Sequence, residues 1–305
     1  MSVTAALAVS FVVDDQPKFR LQAFNLLGTL LGSATVPAKA VHVHLVGDHP
    51  QAFLRFLADL GVAAVPTKPY GAAASPYCNK LVQLRSKALA GADHVALLDA
   101  DVAVTTDLTR ELPGPGARGK IVDTAAPPLP LLRALLRAAG LPRDAATAPA
   151  GFGPGQTLAA NLNGGVTLLD REAWAAVGPR WLKWTHFTLE NARLLGPYAK
   201  HADQVGLALA LIDLGLPPGH LPDRLNFPTH LRPASYRPEH DQDAAILHYH
   251  HRLDDDGCLT PLGLPRLDAA MARANALIRE FQASHGQAAG LDGLLAAWRR
   301  SRLRP

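Results

Sequence analysis

Cysteine is scarce: the 305 residues contain 2, Cys78 and Cys258, in unrelated contexts. That excludes a disulfide framework and fits a reducing compartment, so a cytoplasmic protein is expected. Aromatic residues are only 6%, and no aromatic-basic module accompanies the net charge of +4, which argues against a nucleic-acid partner. Long apolar runs are missing too. The run from Ala5 to Val13 lacks a basic leader, is too short to span a bilayer and ends at Asp14-Asp15; it reads as a buried first strand. No transmembrane segment is expected elsewhere. Hydrophobic residues at 48% with 18% charged ones describe an ordinary globular chain, not a disordered one.

Apolar runs of strand length alternate with helical ones. Residues 5–13 read as a strand, Phe19 to Leu31 as a helix, Val41 to Val46 as a strand and Gln51 to Leu60 as a helix. Asn79 to Leu89 follows as a helix and Val95 to Leu98 as a strand. This order predicts an α/β fold, a mostly parallel central sheet with helices on both faces. Ligands of such sheets gather at the carboxyl ends of the strands, where Asp14, Gly47-Asp48 and Asp99 to Asp101 fall. From Leu112 to Gln156 proline and glycine are dense, and the segment reads as an insertion over the active-site edge with one short helix, Leu131 to Ala139. Its leucine stripe is expected to pack inward.

Beyond it lie a glycine-opened strand from Leu162 to Leu169, a helix from Glu172 and a long helix opened by His201 to Gln204. The strand Ala244 to Leu247 precedes a helical tail from Arg266 to Arg304, which ends in Arg299, Arg300 and Arg302. The expected organisation is a catalytic domain over 1–262, carrying the 112–156 insertion, and a helical C-terminal tail over 263–305.

The stretch that carries most chemistry is His94 to Val104, an apolar strand that runs into Asp99-Ala100-Asp101 before apolar sequence resumes. Burying a carboxylate is costly without a positive partner, so two of them at the mouth of a strand ask for a cation. Oxygen ligands suit Mg²⁺ or Mn²⁺, ions that commonly serve diphosphates.

Five blocks in order resemble one family. Asp99-Ala100-Asp101 resembles the DxD motif of GT-A glycosyltransferases, and Tyr77 to Leu81 their lysine-bearing segment. Asn163-Gly164-Gly165-Val166 resembles their Asn-x-Gly-Val strand, Asp203-Gln204 their Asp-Gln helix start, and Ile246 to Tyr249 their His-Tyr strand. The set is similar to the retaining glycogenin and lipooligosaccharide galactosyltransferase family, glycosyltransferase family 8. It covers roughly residues 5 to 260, and the order of weak blocks makes it specific.

The resemblance implies roles position by position. Asp99, Asp101 and His248 would hold Mn²⁺ or Mg²⁺, and the DxD segment with Ala100 would meet the donor diphosphate. Lys80 would steady the donor, and Asn163, Gly164, Asp203 and Gln204 would lie at the transferred sugar. Val13 and Asp14, at the end of the first strand, would hold the nucleobase. The implied activity is transfer of a hexose from a UDP-sugar to an acceptor (a saccharide, a lipid-linked glycan or a protein) with retention. The basic C-terminal helix offers a peripheral contact with the inner face of the membrane. One departure stands out. The family's Lys-Pro-Trp stretch after the His-Tyr pair is replaced by His250, His251 and Arg252, followed by Asp254 to Asp256.

Each residue also has a plainer reading. Lys80 fits an exposed helical lysine, Asn163 a turn that satisfies its own backbone, Asp203 a helix N-cap and His248 a satisfied core histidine. His42 and His44 share a strand face and could form a metal pair, but no later ligand set matches them. Rival functions are a catalytically inactive nucleotide-sugar-binding module and a sugar nucleotidyltransferase. The latter wants a glycine- and basic-rich loop after the first strand, which Val13 to Lys18 does not supply.

Overall fold

A computed structural model describes residues 7–71 and 76–302. Residues 5 and 6 of the expected first strand, and 303 and 304 of the expected tail, lie outside the described residues. In chain order the chain opens with β1 (Leu7–Asp14), α1 (Pro17–Gly32), β2 (Val41–Val46), α2 (Gln51–Leu60), β3 (Ala63–Thr67), β4 (His94–Leu98) and β5 (Val102–Val104). Then come β6 (Ala117–Ile121), α3 (Leu129–Ala139), β7 (Thr147–Pro149), β8 (Gln156–Leu158), β9 (Leu162–Asp170), α4 (Arg171–Glu190), α5 (Ala192–Leu195) and α6 (Ala202–Asp213). Last are β10 (Gly219–His220), β11 (Phe227–Pro228), β12 (Ile246–His248), α7 (Pro265–Ala289) and α8 (Leu291–Arg302). The fold is mixed α/β, its strands mostly parallel and flanked by helices, with a helical C-terminal end.

The chain divides into two compact units. One holds Leu7–Lys68, Leu98–Leu112 and the chain from Asp223 onward. Its strands β1, β2 and β3 run parallel in that order, Val9 opposite Val41 and His42 opposite Ala63. β1 is apolar along most of its length because a strand in a parallel sheet covered on both faces has no solvent side. Pro17 starts α1, where a missing N–H costs nothing. The rings of Phe24 and Phe281 then lie 4.8 Å apart, so α7 packs on α1. A Cβ on Gly28 would meet Phe281 at 2.8 Å, so only glycine admits that ring.

The expected tail is therefore part of this unit's core, and Gly290, at φ +67, breaks it into two helices. A second small sheet runs β11-β12-β5. It sets His248 opposite Val102, one residue after Asp101.

The other unit holds Pro69–Leu97 and Pro113–Pro222. Its sheet strands follow the order β10-β6-β9-β4, with β6 antiparallel to β9. β6 lies inside the segment expected to be an insertion. The Pro/Gly-rich flanks hide it in the sequence, although Ala117, Gly119 and Lys120 are buried in the sheet. The helix expected over Asn79 to Leu89 is a 3₁₀ segment, Pro76–Arg85, followed by a short turn at Leu89–Gly91. Polar side chains there bond locally to backbone: Gln83 Nε2 donates to the Lys80 carbonyl at 2.9 Å, and the Tyr70 N–H donates to Asn79 Oδ1 at 3.0 Å. Such bonds favour the tighter turn over an α-helix.

Candidate active site

The strand register of the small sheet assembles a group of acids and imidazoles. β4 ends at Leu98, so Asp99 and Asp101 sit in the turn before β5, with Ala100 buried between them. The Tyr249 N–H donates to the Asp101 carbonyl at 3.0 Å and ties that turn to the end of β12. His248 Nε2 then lies 3.3 Å from Asp101 Oδ1 and 3.9 Å from Asp99 Oδ2. His250, in the turn after β12, has Nδ1 3.6 Å from Asp101 Oδ2. The rings of His248 and His250 stack at 4.1 Å, and that of His230 stands edge-on to His250 at 3.7 Å.

Two features hold these groups in place. Asn226 Oδ1 lies 3.1 Å from His248 Nδ1, a contact in which Nδ1 donates, while Nε2 faces the acids. His250 adopts φ +52, a left-handed conformation that costs a β-carbon residue about 1 kcal/mol, and Gln22 Nε2 holds its carbonyl at 2.7 Å. Burial alone would raise the Asp101 carboxyl. The charge and hydrogen bond of His248, aided by His250, outweigh it and hold the group well below the usual carboxylate range. Burial first, and then the charge of His248, pushes the His250 imidazole far down, so it is a neutral donor near pH 7.

The set fits a divalent ion. Ligand atoms of Asp101, His248 and His250 all lie within 4.8 Å of one another. Adjacent ligands of an octahedral ion stand about 3 Å apart, close to the separations here. Ionised carboxylate with neutral imidazole is the donor chemistry that Mn²⁺ accepts more readily than Mg²⁺.

A second polar group belongs to the other unit. Lys80 Nζ lies 3.5 Å from Asp203 Oδ2 and donates to the Gly164 carbonyl at 3.1 Å. Gln204 is held at both ends: its Oε1 accepts the Gly164 N–H at 2.8 Å, and its Nε2 lies 3.1 Å from His201 Nδ1. His201 can accept because burial, followed by the charges of Lys200 and Lys80, lowers its pKa to about 4. A Cβ at position 164 would come within 2.5 Å of Lys80 Nζ, so the glycine lets the ammonium approach. Asn163 donates to Asp123 Oδ2 and accepts the Gly165 N–H, each at 2.8 Å, and buried Lys120 pairs with Asp123 beneath the Phe152 ring.

Of the residues singled out in the sequence, Asp99, Asp101 and His248 come together in one unit, and Lys80, Asn163, Gly164, Asp203 and Gln204 in the other. Val13 is buried in β1 and Asp14 ends that strand opposite Val46. Asp203 lies in the first turn of α6, whose N-cap position is His201, so it is not the cap. Asp123 and Asn226 carry no signal in the sequence; His250 stands out there only in the stretch that replaces Lys-Pro-Trp, and His201 only as the opening of a helix. The strand before Asp123 reads Ala-Arg-Gly-Lys-Ile and gives no apolar signal; Asn226 joins through a contact 22 residues along the chain, and His201 through Gln204, three residues on. His42 and His44 gather no third ligand among the described residues, and His44 Nδ1 lies 3.1 Å from Ser10 Oγ.

No protein-family model matches the chain. No curated protein matches it in sequence either. Solved structures do match. Galactosyltransferase LgtC in complex with donor and acceptor sugar analogues superposes with a TM-score of 0.51 at 15% identity, covering 88% of this chain and 95% of that one. An active-site mutant of LgtC gives 0.54 at 14% identity, with 87% and 95% covered. Mouse xyloside xylosyltransferase 1 gives 0.49 at 14% identity, with 80% and 97% covered. Through its likeness to LgtC, the chain has the GT-A glycosyltransferase fold.

Proposed function

We propose that the protein transfers a hexose from a nucleotide sugar, a UDP-sugar, to an acceptor, with a divalent ion and with retention of the anomeric configuration. The observation that carries this reading is the group of Asp99, Asp101, His248 and His250 at a strand end of a GT-A fold. Asp99, Asp101 and His248 hold Mn²⁺ or Mg²⁺, and His250 adds a second imidazole. The bound ion supplies the charge that stabilises the leaving diphosphate. Lys80 contributes a further positive charge as the sugar–phosphate bond breaks. Asp203 presents carboxylate oxygen to the positive, sugar-like transition state, with Gln204 beside it and Asn163 ordering the glycine strand. Val13 and Asp14 meet the base. The catalytic domain spans 1–262, with the 112–156 segment supplying β6 to its sheet and the C-terminal helices packed on α1, and the protein works in the cytoplasm.

Among the described residues no helix is long and apolar enough to cross a membrane. The basic α8 is the element suited to a peripheral contact.

A thermal-shift series of nucleoside diphosphates with and without Mn²⁺ tests the reading, since a ligand of the folded state raises Tm by mass action. The expected result is stabilisation by UDP that requires Mn²⁺ and is lost in Asp101→Asn and His248→Ala. No shift with any diphosphate would overturn it. Release of free sugar from the UDP-sugar then separates an enzyme from an inactive binding module.

A further inference from the structure

The acid run Asp254 to Asp256 is not directed at Arg252. Asp254 Oδ1 accepts the backbone N–H groups of Asp256 and Cys258, at 2.9 and 2.8 Å. Asp255 pairs with Arg302 at 2.9 Å, and Asp256 with Arg299 at 3.4 Å. Asp255 is thus held by Arg302 and Asp256 by Arg299, and among the described residues no carboxylate pairs with Arg252 or Lys18. Both cations are half-buried. They line one cavity of about 620 Å³ together with His251, Trp298, Ser301 and Arg302, and its lining contains no acid.

Lys18 also lies in the first turn of the 16-residue α1, which has no acidic residue and no side-chain cap there. The positive end of that helix dipole therefore has no acid within its own first turn, where Lys18 lies. Trp298 donates its Nε1 to the Asp254 carbonyl at 3.0 Å, which fixes the indole as a wall.

Like charges held half-buried without a counter-charge repel and are stabilised by an anion. A guanidinium fork and an ammonium lining one cavity suit phosphate oxygens, the first bidentately and the second as a point charge. We infer that this cavity is a second anion site, which takes a phosphate or diphosphate group without any metal. The group could belong to a soluble phosphate ester or to a lipid headgroup, and the chemistry of the lining is the same for both. All of these residues belong to one unit, and the inference needs neither the metal ligands nor the glycosyltransferase reading.

Pyrophosphate is the probe, titrated by calorimetry into the full chain in EDTA. The expected result is saturable binding, about tenfold weaker in Lys18→Gln/Arg252→Gln and unchanged in Asp101→Asn. Arg252→Lys, which keeps the charge but loses the fork, should fall between. Should the double variant not match the parent's circular dichroism, the single Arg252→Gln carries the comparison. No binding in EDTA, or binding that the neutralised variants retain, overturns the site. Phosphatidylcholine vesicles with and without phosphatidic acid identify the source. Co-sedimentation only with phosphatidic acid, lost in the variant, assigns a lipid headgroup; pyrophosphate binding without co-sedimentation assigns a soluble ligand.

Discussion

Asn226 Oδ1 lies 3.1 Å from His248 Nδ1, on the side of the ring away from the Nε2 that faces Asp99 and Asp101. Asn226→Ala removes the clamp while leaving every ligand present. Outer partners of metal-binding histidines are typically worth 10–100-fold in affinity. Mn²⁺ affinity by calorimetry should fall by about tenfold or more. An unchanged value would mean that His248 takes its orientation from elsewhere.

Gly164→Ala brings a methyl group to 2.5 Å from Lys80 Nζ, too close for both to stay. The tip of a lysine is flexible, so the chain should stay folded while the ammonium leaves Asp203. Sugar release from the donor should drop by about 10²-fold, the scale of losing one transition-state contact, with Tm little changed. Lys80→Ala differs in kind. It leaves the Asp203 side chain, only 5% exposed, without that ammonium, and should cost about 3 kcal/mol in urea denaturation.

Acid should weaken the fold before it touches most carboxylates. Burial, and then the charge of His42, lowers the His44 pKa to about 4, so the folded chain keeps this ring neutral where an unfolded chain protonates it. The stabilisation is fully present above about pH 6.5 and is lost as pH falls to about 4, up to about 3 kcal/mol in all. His201 acts in the same direction. Urea midpoints at pH 7.5 and 5 should differ clearly in the parent and less in His44→Asn. Equal slopes in the two would remove His44 as the cause.

Phe281→Ala tests whether the C-terminal helices belong to the core. The ring lies 4.8 Å from that of Phe24 and 6.1 Å from that of Phe56. Truncating it leaves a cavity against α1 and should cost about 3 kcal/mol or more. A loss below 1 kcal/mol would return α7 to the status of an appended tail.

Much of the parallel-strand order, the two acids after β4 and His248 were legible in the sequence. Buried parallel strands must be apolar, and a carboxylate at a strand mouth stands out against them. β6 was not legible, because a short strand among prolines and glycines carries too little periodicity. The 3₁₀ segment at Pro76–Arg85 read as a helix because its apolar spacing does not register the local bonds of Asn79 and Gln83.

The sequence by itself determined the alternating strand and helix order and the presence of Asp99, Asp101, Lys80, Asp203 and His248. Burial patterns and charge cost are written in neighbouring residues. Only the tertiary structure decided that His250 and Asn226 join those acids, that Gln204 is held between Gly164 and His201, and that the acid run spares Arg252. Each of these rests on strand register or helix packing between segments far apart in the chain. A hydrogen bond of 3 Å has no local signature in either segment.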